Sequence, residues 1–491
     1  MKKLKELLSD TLVYGISSVL ARFVGYLLVP LHTDVFVESQ YGIINLVYVT
    51  LAFLNVVFTF GMESAYLRYA KDREKAKDVF KTIQLGLGVL STVLVGLLIL
   101  CAPLLMPAMK LETTGSESLY WLMLGILWFD TMVLVPFAEL RLVRKQWFFA
   151  TLRTANIVLN VGLQFYLILW QGWGIEAVFF ASFIASAITA LVIWIATAQM
   201  FTGVWDTAVM KKALRFGLPF IPAGLGFVIN EMMDRYFLEH YMSQATVTEL
   251  YGADLTSLDI VGIYSACYKL SVFMLLLVQM FRMAWQPFFL RNADDPEAPK
   301  IYSNVFRYFN VVAGICFLAV ALFAYQIVQI KVPFLDAYII GKDYWAGLNI
   351  VPVLLGAYWF QGWYMNFSAG IFIKEETKTL PKITLFGAGI TILFNLLLIP
   401  YYGMMGSAVA TLISYVSMAF ALYWKSRKVY KVPYQIGRSL LMVFIAAACV
   451  FAQPYFESWA GSFWTGSIVL LLVGTLTFVG LGLQGRQVAA T

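Results

Sequence analysis

From residue 9 to residue 485, apolar stretches of about 20 residues alternate with short polar connectors. Peptide groups inside a bilayer have no water to bond. A run of that length is therefore stable there only as a helix that satisfies its own backbone, and ~20 residues is the length that spans the hydrocarbon core. The composition agrees: 61% of residues are hydrophobic and 13% charged, where a soluble domain carries roughly 25% charged residues. The formal charge of +7 does not mark a nucleic-acid binder, because the basic residues hug the ends of apolar runs and form no patch. The pattern predicts an all-α integral membrane protein.

Fourteen spans are expected, near 10–31, 41–62, 82–103, 118–140, 150–170, 175–198, 214–238, 260–283, 304–330, 347–373, 381–399, 405–424, 438–455 and 463–484. The first run is too long for a signal peptide and lacks a small-residue cleavage site, so it is expected to remain as a span. With the N-terminus inside, 29 of the 35 Lys and Arg residues fall on inner segments, and the outer ones hold Lys110, Lys331 and Lys342. That asymmetry predicts an even number of spans with both termini cytoplasmic. No connector is large enough to be a domain, and the longest outer one (239–259) is short and acidic. A membrane glycosyltransferase or polymerase would need an outer domain or an acidic catalytic loop, so the expectation is a protein that is not an enzyme.

Two segments recur. Span 2 opens YGIINLVYVT and span 8 opens VGIYSACYKL, matching Gly42 with Gly262 and Ile43 with Ile263. GWGIEAVFFAS before span 6 matches GMMGSAVATLI before span 12 at Gly172/Gly403, Ala177/Ala408 and Val178/Val409. Six spans separate the members of each pair, so the copies run parallel, as in transporters whose halves are related by an axis normal to the membrane. The expected layout is an N-terminal lobe (1–205, spans 1–6), a C-terminal lobe (206–432, spans 7–12) and two further spans (433–491).

Charge inside a span costs about 2.5–3.5 kcal/mol at the helix centre, so each instance needs a partner or a wet cavity. Arg22 in span 1 and Lys269 in span 8 lie at similar depths, about 14 and 13 Å from the outer face at 1.5 Å per residue. Arg235 lies near the outer end of span 7 beside Asp234, with Glu231 one turn earlier; Asp130 is at the middle of span 4; Glu63 and Arg68 follow span 2. Structural alternatives stand beside these. Glu231 and Arg235 are spaced for a local ion pair, Arg68 for a positive-inside residue, Arg22 for a pairing with Asp130, and Lys269 for snorkelling. Arg282 and Trp285 fit the inner interface. Three cations in spans 1, 7 and 8 suggest a cationic cavity for an anionic head group. Pro219 and Pro222 interrupt span 7 and are candidates for gating kinks or for static packing kinks. His32 and His240 fall in outer loops, and Cys101, Cys267, Cys316 and Cys449 read as core residues. Neither set forms a metal site, and no phosphate-binding loop is present, so no cofactor is expected.

LRFGLPFIPAGLGFVINEMMDRYFL followed by GIYSACYKLSVFMLLLVQMFRMAWQPFFL resembles the oligosaccharide flippases of polysaccharide biosynthesis. GMESAYLRYAKDREK after span 2 and GMMGSAVATLISYV before span 12 fit as well. Together these are similar to the multidrug/oligosaccharidyl-lipid/polysaccharide exporter superfamily. The resemblance implies two six-helix lobes around a central cavity and alternating access. It also implies transfer of a polyprenyl-pyrophosphate-linked oligosaccharide from the cytoplasmic to the outer leaflet of a bacterial inner membrane. Arg22, Arg235, Lys269 and Arg68 would then serve the substrate cavity, and Asp130, Asp234, Glu231 and Glu63 would be coupling or ion-pair acids for a proton or sodium gradient. Expected partners are the lipid-linked substrate, membrane lipids and polysaccharide assembly proteins, with no nucleic acid. A lipid II flippase differs only in cargo; a drug/cation antiporter of the same superfamily expects acidic cavity residues.

Overall fold

The computed structural model describes residues 26, 28–112 and 116–488, with side chains as far as residue 481. Span 1 and Arg22 lie largely outside the described residues. Eleven helices among the described residues are long and apolar enough to cross a membrane. One of them, Thr379–Val429, holds both expected spans 11 and 12: two helices meet at a kink at Gly403 (φ 50°, ψ −126°), and Ser407 donates to Asn395 Oδ1 across it (3.0 Å). The expected span 10 is the helix Val351–Ile373. It falls outside that set because its Trp, Tyr, Gln and Asn residues lower its hydropathy.

The chain divides into two compact units, one ending at Val228 and the other beginning at Ile229. The expected boundary at 205/206 lies earlier, in a connector. The observed one falls within a helix, because the first part of span 7 packs into the N-terminal unit. The last two expected spans are part of the second unit.

In the N-terminal unit, α1 (Glu38–Thr59) ends at two residues in the left-handed region, Phe60 (φ 47°) and Gly61 (φ 64°), and resumes as α2 (Met62–Tyr69). Then come α3 (Ala76–Leu100), α4 (Ser118–Met132), α5 (Leu134–Leu142), α6 (Gln146–Phe165), α7 (Glu176–Thr197) and α8 (Thr207–Gly217). Asp206 starts α8 by accepting hydrogen bonds from the amides of Ala208 (2.7 Å) and Val209 (3.3 Å), as an N-cap should. The chain breaks at Leu218 and Pro219 and re-enters α9 (Phe220–Met232), with Pro222 in its first turn. The two breaks dock on each other. A Cβ on Gly61 would lie 2.6 Å from the Gly217 carbonyl oxygen, and one on Gly217 would strike that of Phe60. Only glycine permits that approach. Below it, Met62, Tyr66, Phe80, Ile83, Val135 and Met210 form a buried core.

In the second unit, α10 (Asp234–Tyr241) follows α9 across Met233, whose backbone stays helical (φ −67°, ψ −20°). A capping box between Thr256 and Asp259 starts α11 (Ser257–Arg291). After α12 (Ala298–Leu322) comes a small ribbon pairing Lys331 with Tyr338. Next are α13 (Val351–Ile373), α14 (Thr379–Val429), α15 (Ile436–Ala460) and α16 (Phe463–Val488). Helix α13 is apolar on every face and buried through most of its length, as such a helix must be. The indoles of Trp359 (2.9 Å) and Trp363 (2.7 Å) both donate to Asn310 Oδ1. The matched glycines of the repeat both have positive φ: 65° at Gly172 and 50° at Gly403. Gly42 and Gly262 are both buried.

Two outer-loop and core assignments are corrected. His32 is buried in the helix Leu28–Val35, its Nε2 2.8 Å from Gln164 Oε1. Cys101 is exposed, whereas Cys267 and Cys449 are buried. Trp285, expected as an interface anchor, is 3% exposed among Phe289, Tyr302 and other aromatic side chains.

Candidate functional site

The second unit gathers the acids and cations of spans 7 and 8 into one network. Asp234 and Arg235 open α10 and are 4% and 6% exposed. Arg235 Nη1 donates to Asp234 Oδ1 (2.6 Å) and to the Glu231 carbonyl oxygen (2.9 Å), and Asp234 Oδ2 accepts from Tyr264 (2.7 Å). The guanidinium lies 4.1 Å from the centre of the Tyr268 ring, within cation–π range. The guanidinium of Arg235 thus pairs with the adjacent Asp234 carboxylate and reaches Glu231 through the backbone carbonyl, where the spacing predicts a side-chain pair with Glu231.

The Glu231 carboxylate turns to other helices. It accepts from Tyr415, from Tyr358 (3.1 Å) and from Gln361 Nε2 (3.0 Å). Tyr268 and Tyr358 share a short hydroxyl–hydroxyl hydrogen bond that ties this cage to the Arg235 ring stack. Asn230 anchors the end of α9 on α14, accepting from Thr391 (2.7 Å) and Ser414 (3.2 Å).

Lys269 occupies the position after Tyr268 on α11. It is half-buried and near enough to Arg235 for their charges to repel. No described residue forms a hydrogen bond or ion pair with its ammonium. One cation of this cluster is therefore paired and its neighbour is not.

The remaining candidates lie in the N-terminal unit. Glu63 pairs with Arg141, and Arg68 is exposed with its guanidinium 4.6 Å from the centre of the Phe216 ring. Asp130 accepts from Ser186 (2.7 Å) and lines a cavity of about 390 Å³. Arg153 lines the same cavity. Its charge places it among the basic residues of an inner connector, but the helix already begins at Gln146, which carries Arg153 two turns into the span. Charge pattern alone does not reveal two further residues. Arg73 and Tyr66 both donate to the buried Glu139 carboxylate, Arg73 through two bonds of 3.0 and 2.5 Å and Tyr66 at 2.6 Å. The hydrogen bonds that Arg73 donates to Glu139 raise its guanidinium above its ordinary range.

Many long apolar helices with charged side chains buried among them define an integral membrane protein. The backbone fold agrees with solved transporters. The lipid II flippase MurJ in an inward-closed conformation matches with TM-score 0.72 at 14% identity, over 97% of this chain and 99% of that one. An inward-facing multidrug resistance MATE family transporter of the MOP superfamily matches with TM-score 0.59 at 16% identity, over 82% and 97%. The Vibrio cholerae MATE transporter VcmN in the bent form matches with TM-score 0.52 at 13% identity, over 87% and 96%. No curated protein matches the sequence. Residues 7–293 match the family described as polysaccharide biosynthesis protein. The chain belongs to that family.

Proposed function

We propose that this protein is a flippase that moves a polyprenyl-pyrophosphate-linked oligosaccharide from the cytoplasmic to the outer leaflet by alternating access. The observation that carries the reading is Lys269. An intramembrane ammonium beside a second cation, without a protein partner among the described residues, costs free energy unless an anion arrives. A pyrophosphate supplies that anion. Arg235, held rigid by Asp234 and Tyr268, offers a planar donor and Lys269 a mobile point charge, and the two replace the hydration the phosphates lose. Arg22 of span 1 and Arg68 would extend the positive lining, with Pro219 and Pro222 at the break where a lobe would hinge.

The drive follows from electrostatics. A membrane potential of 100 mV, negative inside, contributes about 2.3 kcal/mol for each negative charge expelled. Asp130, Asp234, Glu231 and Glu63 are the acids available for coupling to an entering proton or sodium ion. In this reading the protein is not an enzyme, and it lies in a bacterial cytoplasmic membrane with both termini inside. Its two six-helix lobes and two added spans serve surface-polysaccharide assembly. A lipid II cargo is the second reading, favoured by the fold likeness to MurJ over nearly the whole chain.

Charge reversal tests the proposal. Arg22→Glu, Arg235→Glu and Lys269→Glu should each abolish surface-polysaccharide export while the protein still inserts. Export left intact by all three would refute it. Complementation of a strain lacking its lipid II flippase would assign the second cargo instead.

A further inference from the structure

The cavity of the N-terminal unit is polar where an apolar packing would cost less. It lies among α1, α4, α5, α6 and α7, all within membrane-spanning runs, and its polar lining includes Asp130, Arg153, Asn156, Asn160, Ser182 and Ser186. Its volume of about 390 Å³ falls in the ~300–1,000 Å³ range of small-molecule sites. Hydrogen bonds between neighbouring helices hold these groups in place. Asn156 Nδ2 donates to Thr189 (2.8 Å), Asn160 Nδ2 to Ser182 (3.1 Å), and Gln164 Nε2 to Asn160 Oδ1 (2.6 Å). Ser186 fixes Asp130 through one carboxylate oxygen.

What those bonds leave over is informative. Among the described residues, Asp130 Oδ2 and Asn156 Oδ1 have no donor, and the Arg153 guanidinium has no acceptor. The guanidinium lies 4.2 Å from the centre of the Phe137 ring, a stacking that engages its face and leaves its five N–H groups. Free acceptors and free donors thus line one cavity whose two charges cancel. A metal ion or ammonium would call for more carboxylates, and a phosphate for more cations. Hydroxyl groups that each donate and accept match the mixture.

We propose that this cavity binds one neutral sugar residue of the cargo, with Asp130 and Asn156 accepting from its hydroxyls and Arg153 donating to them. The inference rests on the flippase reading and places the sugar on the N-terminal unit, apart from the residues assigned to the pyrophosphate. Arg153 in this role is a binding residue, and Ser186 a positioning residue for Asp130.

The test uses the full-length protein in lipid nanodiscs and reads thermal stabilisation by four probes: galactose, N-acetylglucosamine, galacturonate and inorganic pyrophosphate. The two neutral sugars should stabilise the wild-type protein. Asp130→Asn and Asn156→Ala should each weaken their binding about tenfold, as loss of one hydrogen bond to a charged or fixed partner does, and leave pyrophosphate binding unchanged. Lys269→Glu should do the reverse. Retained pyrophosphate binding also shows that a variant is folded, and if Asp130→Asn loses both ligands, Asn156→Ala carries the test. No stabilisation by either neutral sugar overturns the proposal, as does sugar binding indifferent to Asp130→Asn and Asn156→Ala, or binding of galacturonate alone. Failure of pyrophosphate to bind, with sugar binding intact, would instead count against the flippase reading.

Discussion

Replacing Asp234 with alanine removes the counter-charge from a guanidinium that is 6% exposed. Truncating one partner of a buried pair costs about 3–5 kcal/mol, most of it the penalty of an uncompensated charge. Here part is recovered. Arg235 keeps the Glu231 carbonyl at 2.9 Å and the Tyr268 ring at 4.1 Å, and a desolvated ring contact is worth about 1–2 kcal/mol. Tyr264 loses the acceptor it holds at 2.7 Å, which adds about 1 kcal/mol. The expected net loss is about 2–5 kcal/mol. Arg235→Met in the same background removes the stranded charge, so the double variant should be more stable than Asp234→Ala alone by about 1.5–3 kcal/mol. Denaturant unfolding in mixed micelles, followed by tryptophan fluorescence, measures all four corners of the cycle. Additive single effects, with a coupling energy under about 0.5 kcal/mol, would refute the idea that the pair is formed and desolvated.

Other expectations can be checked alongside. Gly217→Ala forces a methyl group onto the Phe60 carbonyl and should cost about 1–3 kcal/mol, with protease cutting appearing near residues 60 and 218; unchanged stability would mean that the two breaks are not in contact. Asn310→Leu strands the indole N–H groups of Trp359 and Trp363 and should cost about 2–4 kcal/mol, read as a lower melting temperature with a red-shifted tryptophan emission. Glu231→Gln keeps the size of the side chain but loses the charge that Tyr358, Tyr415 and Gln361 surround. It should leave Lys269-dependent pyrophosphate binding within about twofold if the cage only orients α9, since the substitution leaves its volume intact; a larger loss would place Glu231 in the binding site itself.

Periodicity of apolar runs is legible because bilayer thickness fixes helix length, and it locates α1 and α7 to within a few residues. The connector around Gly403 is legible too, and the chain turns there between two helices that pack side by side. Charge position is harder to read. Arg153 resembles a connector residue, since its neighbours Arg141, Arg144 and Lys145 are basic, but nothing in its own residue type records that the helix starts at Gln146. The i,i+4 spacing of Glu231 and Arg235 predicts a side-chain pair, but the adjacent Asp234 takes the guanidinium and residues of other helices take the Glu231 carboxylate. The cage around Glu231 draws on Tyr358 and Tyr415, 127 and 184 residues away. A tyrosine in a span reads as packing until a fold brings its hydroxyl to a carboxylate. The matched pair Gly172/Gly403 gives a sharper signal, because a glycine retained at a span end for positive φ leaves its mark in the sequence.

The most direct measurement is the leaflet position of lipid-linked glycan in cells depleted of this protein. Spheroplasts probed with an impermeant lectin, before and after lysis, separate the outer from the cytoplasmic pool. The account predicts a cytoplasmic pool that grows on depletion, returns to normal with the wild-type gene, and persists with Lys269→Glu. A glycan that still reaches the outer leaflet without the protein would contradict it.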